Sequence, residues 1–186
     1  KVSKALEDGA NVNAKATNLL DSLLPSRSEG YGFLDVVGAR HTPNMRDIEI
    51  AQLLLEHGVE VNTKDGFECT ALMHAVGKSS LTLVASILEH NPDVDARDWN
   101  GNTALFYAIR RGDAEMVALL LINGADIEVA DKDGHDWRHF AKDPRVISLM
   151  ENYSCMKESR RQEKSIDRGE VVSDIIKAIE EDILKE

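Results

Sequence analysis

Basic residues are in the minority: 22 Lys and Arg face 33 Asp and Glu, for a formal net charge of −11 at pH 7. This argues against a general nucleic-acid binder, because neutralising phosphates takes clustered Lys and Arg. Cysteine is scarce. Cys69 and Cys155 are the two present, and they make no metal-ligand spacing between them. Such sparse usage fits a reducing compartment rather than a disulfide framework. Aromatic residues make up 5% of the chain, so a core here must come from Leu, Ala, Val and Ile. No apolar run approaches the roughly 18–20 residues of a membrane span, and no secretory leader is visible.

What is present is self-similarity at a spacing of about 33 residues. Thr70-Ala71-Leu72 returns as Thr103-Ala104-Leu105. Leu55-Glu56-His57-Gly58 is answered by Leu88-Glu89-His90-Asn91 and by Leu121-Ile122-Asn123-Gly124. Asp65, Asp98 and Asp131 open three successive units, and Gly9, Gly58, Asn91 and Gly124 stop second helices with residue types that tolerate positive φ.

This multi-position pattern resembles the ankyrin-repeat family over about four fifths of the chain. The clearest unit runs from Asp98 to Ile127, with Phe106 and Tyr107 standing where the family favours His and Leu. The resemblance implies an all-α solenoid of stacked helix-turn-helix units with β-hairpin fingers, followed here by a C-terminal helical extension. The register divides residues 1–153 into a partial repeat at 1–15, a long repeat at 16–64, regular repeats at 65–97 and 98–130, and a capping repeat at 131–153. Lys1 falls in mid-repeat, so the chain is expected to be a fragment of something longer.

The second unit is stretched by about 16 residues relative to the family period. Most of the excess is assigned to 16–32, where Leu19, Leu20, Leu23 and Leu24 either pack as a short covering helix or form a binding loop. In the next unit Glu68 replaces the usual turn glycine, so that turn is expected to depart from the pattern. In the last unit Pro144 opens a second helix that is expected to be short. Residues 154–169 read as a charged linker or helix. At 170–186, Val171, Val172, Ile175, Ile176, Ile179, Ile183 and Leu184 mark an amphipathic helix. It would pack on the last repeat, pair with another chain or begin a further domain.

No catalytic constellation emerges, and the chain is read as a non-enzyme without cofactor or metal. His135, Asp136 and His139 have a spacing that two-His-plus-carboxylate zinc sites use. The register favours structural roles, with His135 at an exposed turn and His139 on a first helix. His57 and His90 repeat at one helix C-terminal position, where imidazole suits the helix dipole. His74 is expected to brace loops by hydrogen bonds. Asn62 resembles the hairpin Asn that asparaginyl hydroxylases modify in this family, against a plain role in hydrogen bonding across the hairpin.

Binding remains. The resemblance implies a partner protein or peptide on the concave face of fingers and first helices. Carried over position by position, the contact sites are Phe67, Cys69, Met73, Lys78, Trp99, Asn100, Asn102, Phe106, Arg110, Arg111, Lys132 and His135. Trp99 stands out because a large aromatic at an exposed turn suits an interface anchor. The resemblance therefore implies a scaffold or adaptor. The alternatives are a substrate-recruiting part of a larger enzyme, a ubiquitin-ligase adaptor or a bacterial effector delivered to a host cell. Self-association through 170–186 is a further reading. The expected location is the cytoplasm, with the nucleus or a host cytosol as alternatives.

Overall fold

The computed structural model describes residues 45–162 apart from Val129, together with Val37. The partial repeat expected at 1–15, the insertion at 16–32 and the amphipathic helix at 170–186 lie outside the described residues.

Seven α-helices occur among the described residues: α1 (Met45–Glu56), α2 (Ala71–Gly77), α3 (Leu81–Leu88), α4 (Ala104–Arg111), α5 (Ala114–Ile122), α6 (Trp137–Phe140) and α7 (Pro144–Gln162). Their apolar residues recur at helical spacing and are buried accordingly. Ile50, Ala51, Leu54 and Leu55 of α1 are buried, and one repeat later so are Leu83, Val84, Ile87 and Leu88 of α3. A further repeat along, Met116, Val117, Leu120 and Leu121 of α5 take the same places. Each of these side chains other than Ala51 contributes about 1.5–3 kcal/mol by leaving water. Within a core of this kind, truncating one to Ala costs about 2–5 kcal/mol.

The helices form two compact units, Lys1–Trp99 and Asn100–Glu186. In the first, α2 packs against α3, and α1 packs on α3. In the second, α4 packs against α5, α4 on α6 and α5 on α7. Within the first unit a second helix thus stacks on a second helix, and within the second unit first stacks on first and second on second.

Starts and stops are set locally. Thr70 Oγ1 accepts the Met73 N–H at 3.4 Å, Asp113 Oδ1 the Met116 N–H at 3.0 Å, and Asp136 Oδ1 the Arg138 N–H at 3.0 Å. Asp143 precedes Pro144 and accepts the Arg145 N–H at 2.9 Å, an N-cap followed by a proline that needs no donor there. At the C-terminal ends, His57 and His90 place Nδ1 at 2.8 and 2.9 Å from the carbonyls of Leu53 and Ser86. Asn123 Nδ2 donates to the Leu119 carbonyl at 2.8 Å one repeat later. These side chains add a second hydrogen bond to the Leu53 and Leu119 carbonyls, which already accept the His57 and Asn123 N–H groups, and bond the Ser86 carbonyl in the same way.

Two expectations are corrected. The helix from Pro144 is not short: it has 19 residues and carries into the charged run, where Lys157 Nζ reaches Asp126 Oδ1 at 2.9 Å and Glu128 Oε1 at 3.8 Å. Nor does Glu68 give its turn a different backbone. It takes φ +60°, in the same left-handed region as Gly101 at +83° and Gly134 at +80° at the matching positions. The fingers themselves are turns more than ladders, and one antiparallel bridge, Lys64 with Thr70, is the β-structure found among the described residues.

Candidate partner-binding surface

Two of the fingers are built around their opening aspartates, Asp65 and Asp131. Asp65 Oδ1 accepts the N–H groups of Phe67 at 2.8 Å and Cys69 at 2.9 Å, while Oδ2 lies 2.8 Å from His74 Nε2 on α2. Asp131 repeats the arrangement, accepting the N–H groups of Asp133 and His135 at 2.9 and 2.8 Å, with His135 Nδ1 at 3.3 Å. For both carboxyls burial is the largest influence and raises the pKa, but the combined hydrogen bonds outweigh it and hold each below the ordinary carboxylate value. His74 thus braces a loop, and the loop is that of its own repeat.

Neighbouring fingertips are joined through main chain. In the first unit the Trp99 N–H donates to the Phe67 carbonyl at 3.1 Å. In the second, the equivalent bond runs from the Lys132 N–H to the Asn100 carbonyl at 3.0 Å. Lys64 Nζ adds a bond to the Arg97 carbonyl at 2.9 Å. Asn62 Oδ1 accepts the Asp93 N–H at 2.8 Å, a bond to the following repeat rather than across its own hairpin.

The first unit holds five of the expected contact residues. Phe67 is 66% exposed and Trp99 54% exposed. They are the large apolar side chains most open to water among the described residues, and the main-chain bond sets their turns side by side. Cys69 and Lys78 are half-buried. Met73 is a correction: at 2% exposure it is a core residue of α2 and presents nothing to a partner.

In the second unit Asn100, Arg110, Arg111 and Lys132 are exposed and His135 is half-buried. Phe106 and Asn102 are corrections, being buried at 0% and 7% exposure. Phe106 sits at the register position of Met73, so this position faces the core in both helices. Its ring packs 5.2 Å from that of Phe140, and the Arg110 guanidinium lies 6.0 Å from the Phe140 centroid. The N-cap of α4 differs from that of α2: Thr70 accepts a backbone N–H, and Thr103 makes no such cap bond. Thr103 Oγ1 is buried without a hydrogen-bond partner, a cost of about 1–3 kcal/mol.

The His135, Asp136 and His139 grouping does not assemble as metal chemistry requires. The two imidazoles stack with centroids 3.8 Å apart and planes 20° from parallel. Lone pairs lie in the ring planes, so stacked rings do not converge on one ion. Asp136 instead caps α6 and pairs with Arg138 at 2.9 Å. Two features were not read from sequence: this stacking, and the approach of Asp65, Cys69 and His74, whose metal-ligating atoms lie within 4.8 Å of one another. The spacing of those three residues was visible, but it spans a turn and a helix start and matches no familiar motif.

Residues 39–131 match the family of ankyrin repeats, in three copies, and the chain belongs to that family. Its fold is an all-α ankyrin-repeat helical stack. Domains of this family generally serve as protein–protein interaction modules and are typically non-catalytic scaffolds. No curated protein matches the chain. Among the described residues, no helix is long and apolar enough to cross a membrane.

Proposed function

We propose that this chain recognises a polypeptide through the paired fingertips of its first unit, with Phe67 and Trp99 as the anchors. The observation that carries the reading is the exposure of both rings, 66% and 54%, on turns tied by the Trp99–Phe67 main-chain bond. Aromatic side chains left in water at rigid turns bring large contact area at little entropic cost, and Trp is enriched among residues that dominate binding energy. The main chain of the tips is held before any partner arrives, so binding need not order it. The partner is expected to offer an apolar side chain that lies across the two rings. Lys78 lies in the same unit as a secondary contact.

The reading is tested by affinity capture from cell extract with the wild-type chain beside Phe67→Ala and Trp99→Ala. Each truncation is expected to weaken retention of a specific partner by about 30-fold, the equivalent of about 2 kcal/mol at an anchor. The thermal midpoint should move little, since neither ring is in the core. Retention of the same proteins by wild type and both variants would sink the proposal.

A further inference from the structure

We propose that Asp65, Cys69 and His74 form a binding site for a zinc-class divalent cation at the base of the first described finger. A carboxylate oxygen, a thiol sulfur and an imidazole nitrogen lie within 4.8 Å of one another there. Zinc bonds of about 2.0–2.3 Å place neighbouring tetrahedral ligands roughly 3.3–3.7 Å apart. His74 Nε2 and Asp65 Oδ2, now 2.8 Å apart, would exchange their hydrogen bond for the ion and open to that spacing by side-chain rotation.

The donors are already oriented. Asp65 Oδ1 is occupied by the N–H groups of Phe67 and Cys69, which fixes the carboxylate with Oδ2 turned toward His74. Hydrogen bonds of this sort around a ligating carboxylate tune and position metal sites. The side chains of Asp65 and His74 are 16% and 27% exposed, and Cys69 is half-buried. An ion therefore has a path in and a partly dry seat.

The donor chemistry selects the metal. One sulfur, one nitrogen and one oxygen form a borderline-soft set that suits zinc, whereas magnesium and calcium take shells of oxygen. Three protein ligands leave a fourth tetrahedral position for water or for a donor from a bound partner. On binding, the Cys69 thiol releases its proton to solvent and the imidazole coordinates as the neutral ring. The ion would clamp the turn that carries Phe67 onto the start of α2. Asp131, Asp133 and His135 also gather within 4.8 Å, but without a thiol they provide an internal comparison rather than a second site of this class.

The experiment uses the full chain, metal-free and reduced. Zinc chloride is titrated by calorimetry, and cobalt chloride by visible and near-ultraviolet absorption, where a thiolate ligand gives an intense charge-transfer band. One equivalent is expected to bind and the cobalt band to appear. Cys69→Ser should abolish the band and weaken zinc at least about tenfold, and His74→Gln should weaken zinc comparably. Cys155→Ser and His135→Gln should leave both signals in place. A band that survives Cys69→Ser, or one lost in Cys155→Ser, overturns the assignment. So does the absence of any thiolate band in the wild-type chain, an outcome that does not depend on how well the variants fold.

Discussion

Asp65 concentrates much of the local design into one side chain. Its two oxygens hold two backbone N–H groups of a turn and one imidazole of the following helix. The folded chain therefore holds the Asp65 proton more weakly than the unfolded chain does, despite the opposing effect of burial. A carboxyl depressed in this way stabilises the fold above its unfolded pKa of about 3.9, and that contribution is lost as pH falls through the lower folded value. Asp65→Asn should accordingly lower the thermal midpoint at pH 7 and flatten its decline between about pH 5 and pH 3. An unchanged acid profile in the variant would show that the carboxylate does not carry this linkage. None of this geometry is written in one residue type. The sequence shows Asp, Cys and His at fixed spacing, but their approach depends on how the turn folds back onto α2.

At the scale of the element, the left-handed positions are unevenly distributed. Gly58, Gly101, Gly112, Gly124 and Gly134 have positive φ, but in the repeat at 65–97 the matching places hold Glu68, Ser79 and Asn91 at +60°, +52° and +51°. A side chain in that region costs about 1–2 kcal/mol, least for Asn. Part of the gain from glycine is offset by its larger unfolded-state entropy. Glu68→Gly and Ser79→Gly should each raise stability by about 0.5–1 kcal/mol in denaturant titration, with a smaller effect from Asn91→Gly. Gly101→Ala should act in the opposite sense, because its new Cβ would also stand 3.0 Å from the Lys132 backbone nitrogen. Loss of stability in Glu68→Gly would show that the hydrogen bonds of the finger, and not residue preference, had already absorbed the strain. The buried faces of α3 and α5 were legible from the spacing of Leu, Val and Ile. The inward position of Met73 and Phe106 was not, because a surface role carried over by register says nothing about which way a given helix rolls against its neighbours. The backbone at Glu68 was not legible for a related reason: its N–H bonds the Asp65 carbonyl as the Gly134 N–H bonds that of Asp131, and this turn sets φ there against local preference.

For the whole molecule, the formal charge of −11 is the governing quantity. Like charges repel in the compact state, and salt screens them over roughly 8–10 Å at ordinary ionic strength. Raising sodium chloride from about 10 mM to about 150 mM should therefore raise the thermal midpoint, as read by circular dichroism. A fall would mean that ion pairs such as Lys157 with Asp126 and Glu128 outweigh the general repulsion. The family and the all-α class were legible because a repeat states its pattern several times, so each unit checks the others. The anchors of the surface were legible only in part: Trp99 was distinctive in the sequence, but its pairing with Phe67 needed the folded turns.

The fingertip bonds from Trp99 to Phe67 and from Lys132 to Asn100 use peptide groups alone. Any residue but proline at Trp99 and Lys132 supplies the donor N–H, and any residue at Phe67 and Asn100 supplies the acceptor carbonyl. A point mutation at such a tip to a residue other than proline alters what the surface displays and leaves the groups of the bond beneath it in place. The tips are therefore places where new binding preferences can be tried one substitution at a time, at little risk to the fold that presents them.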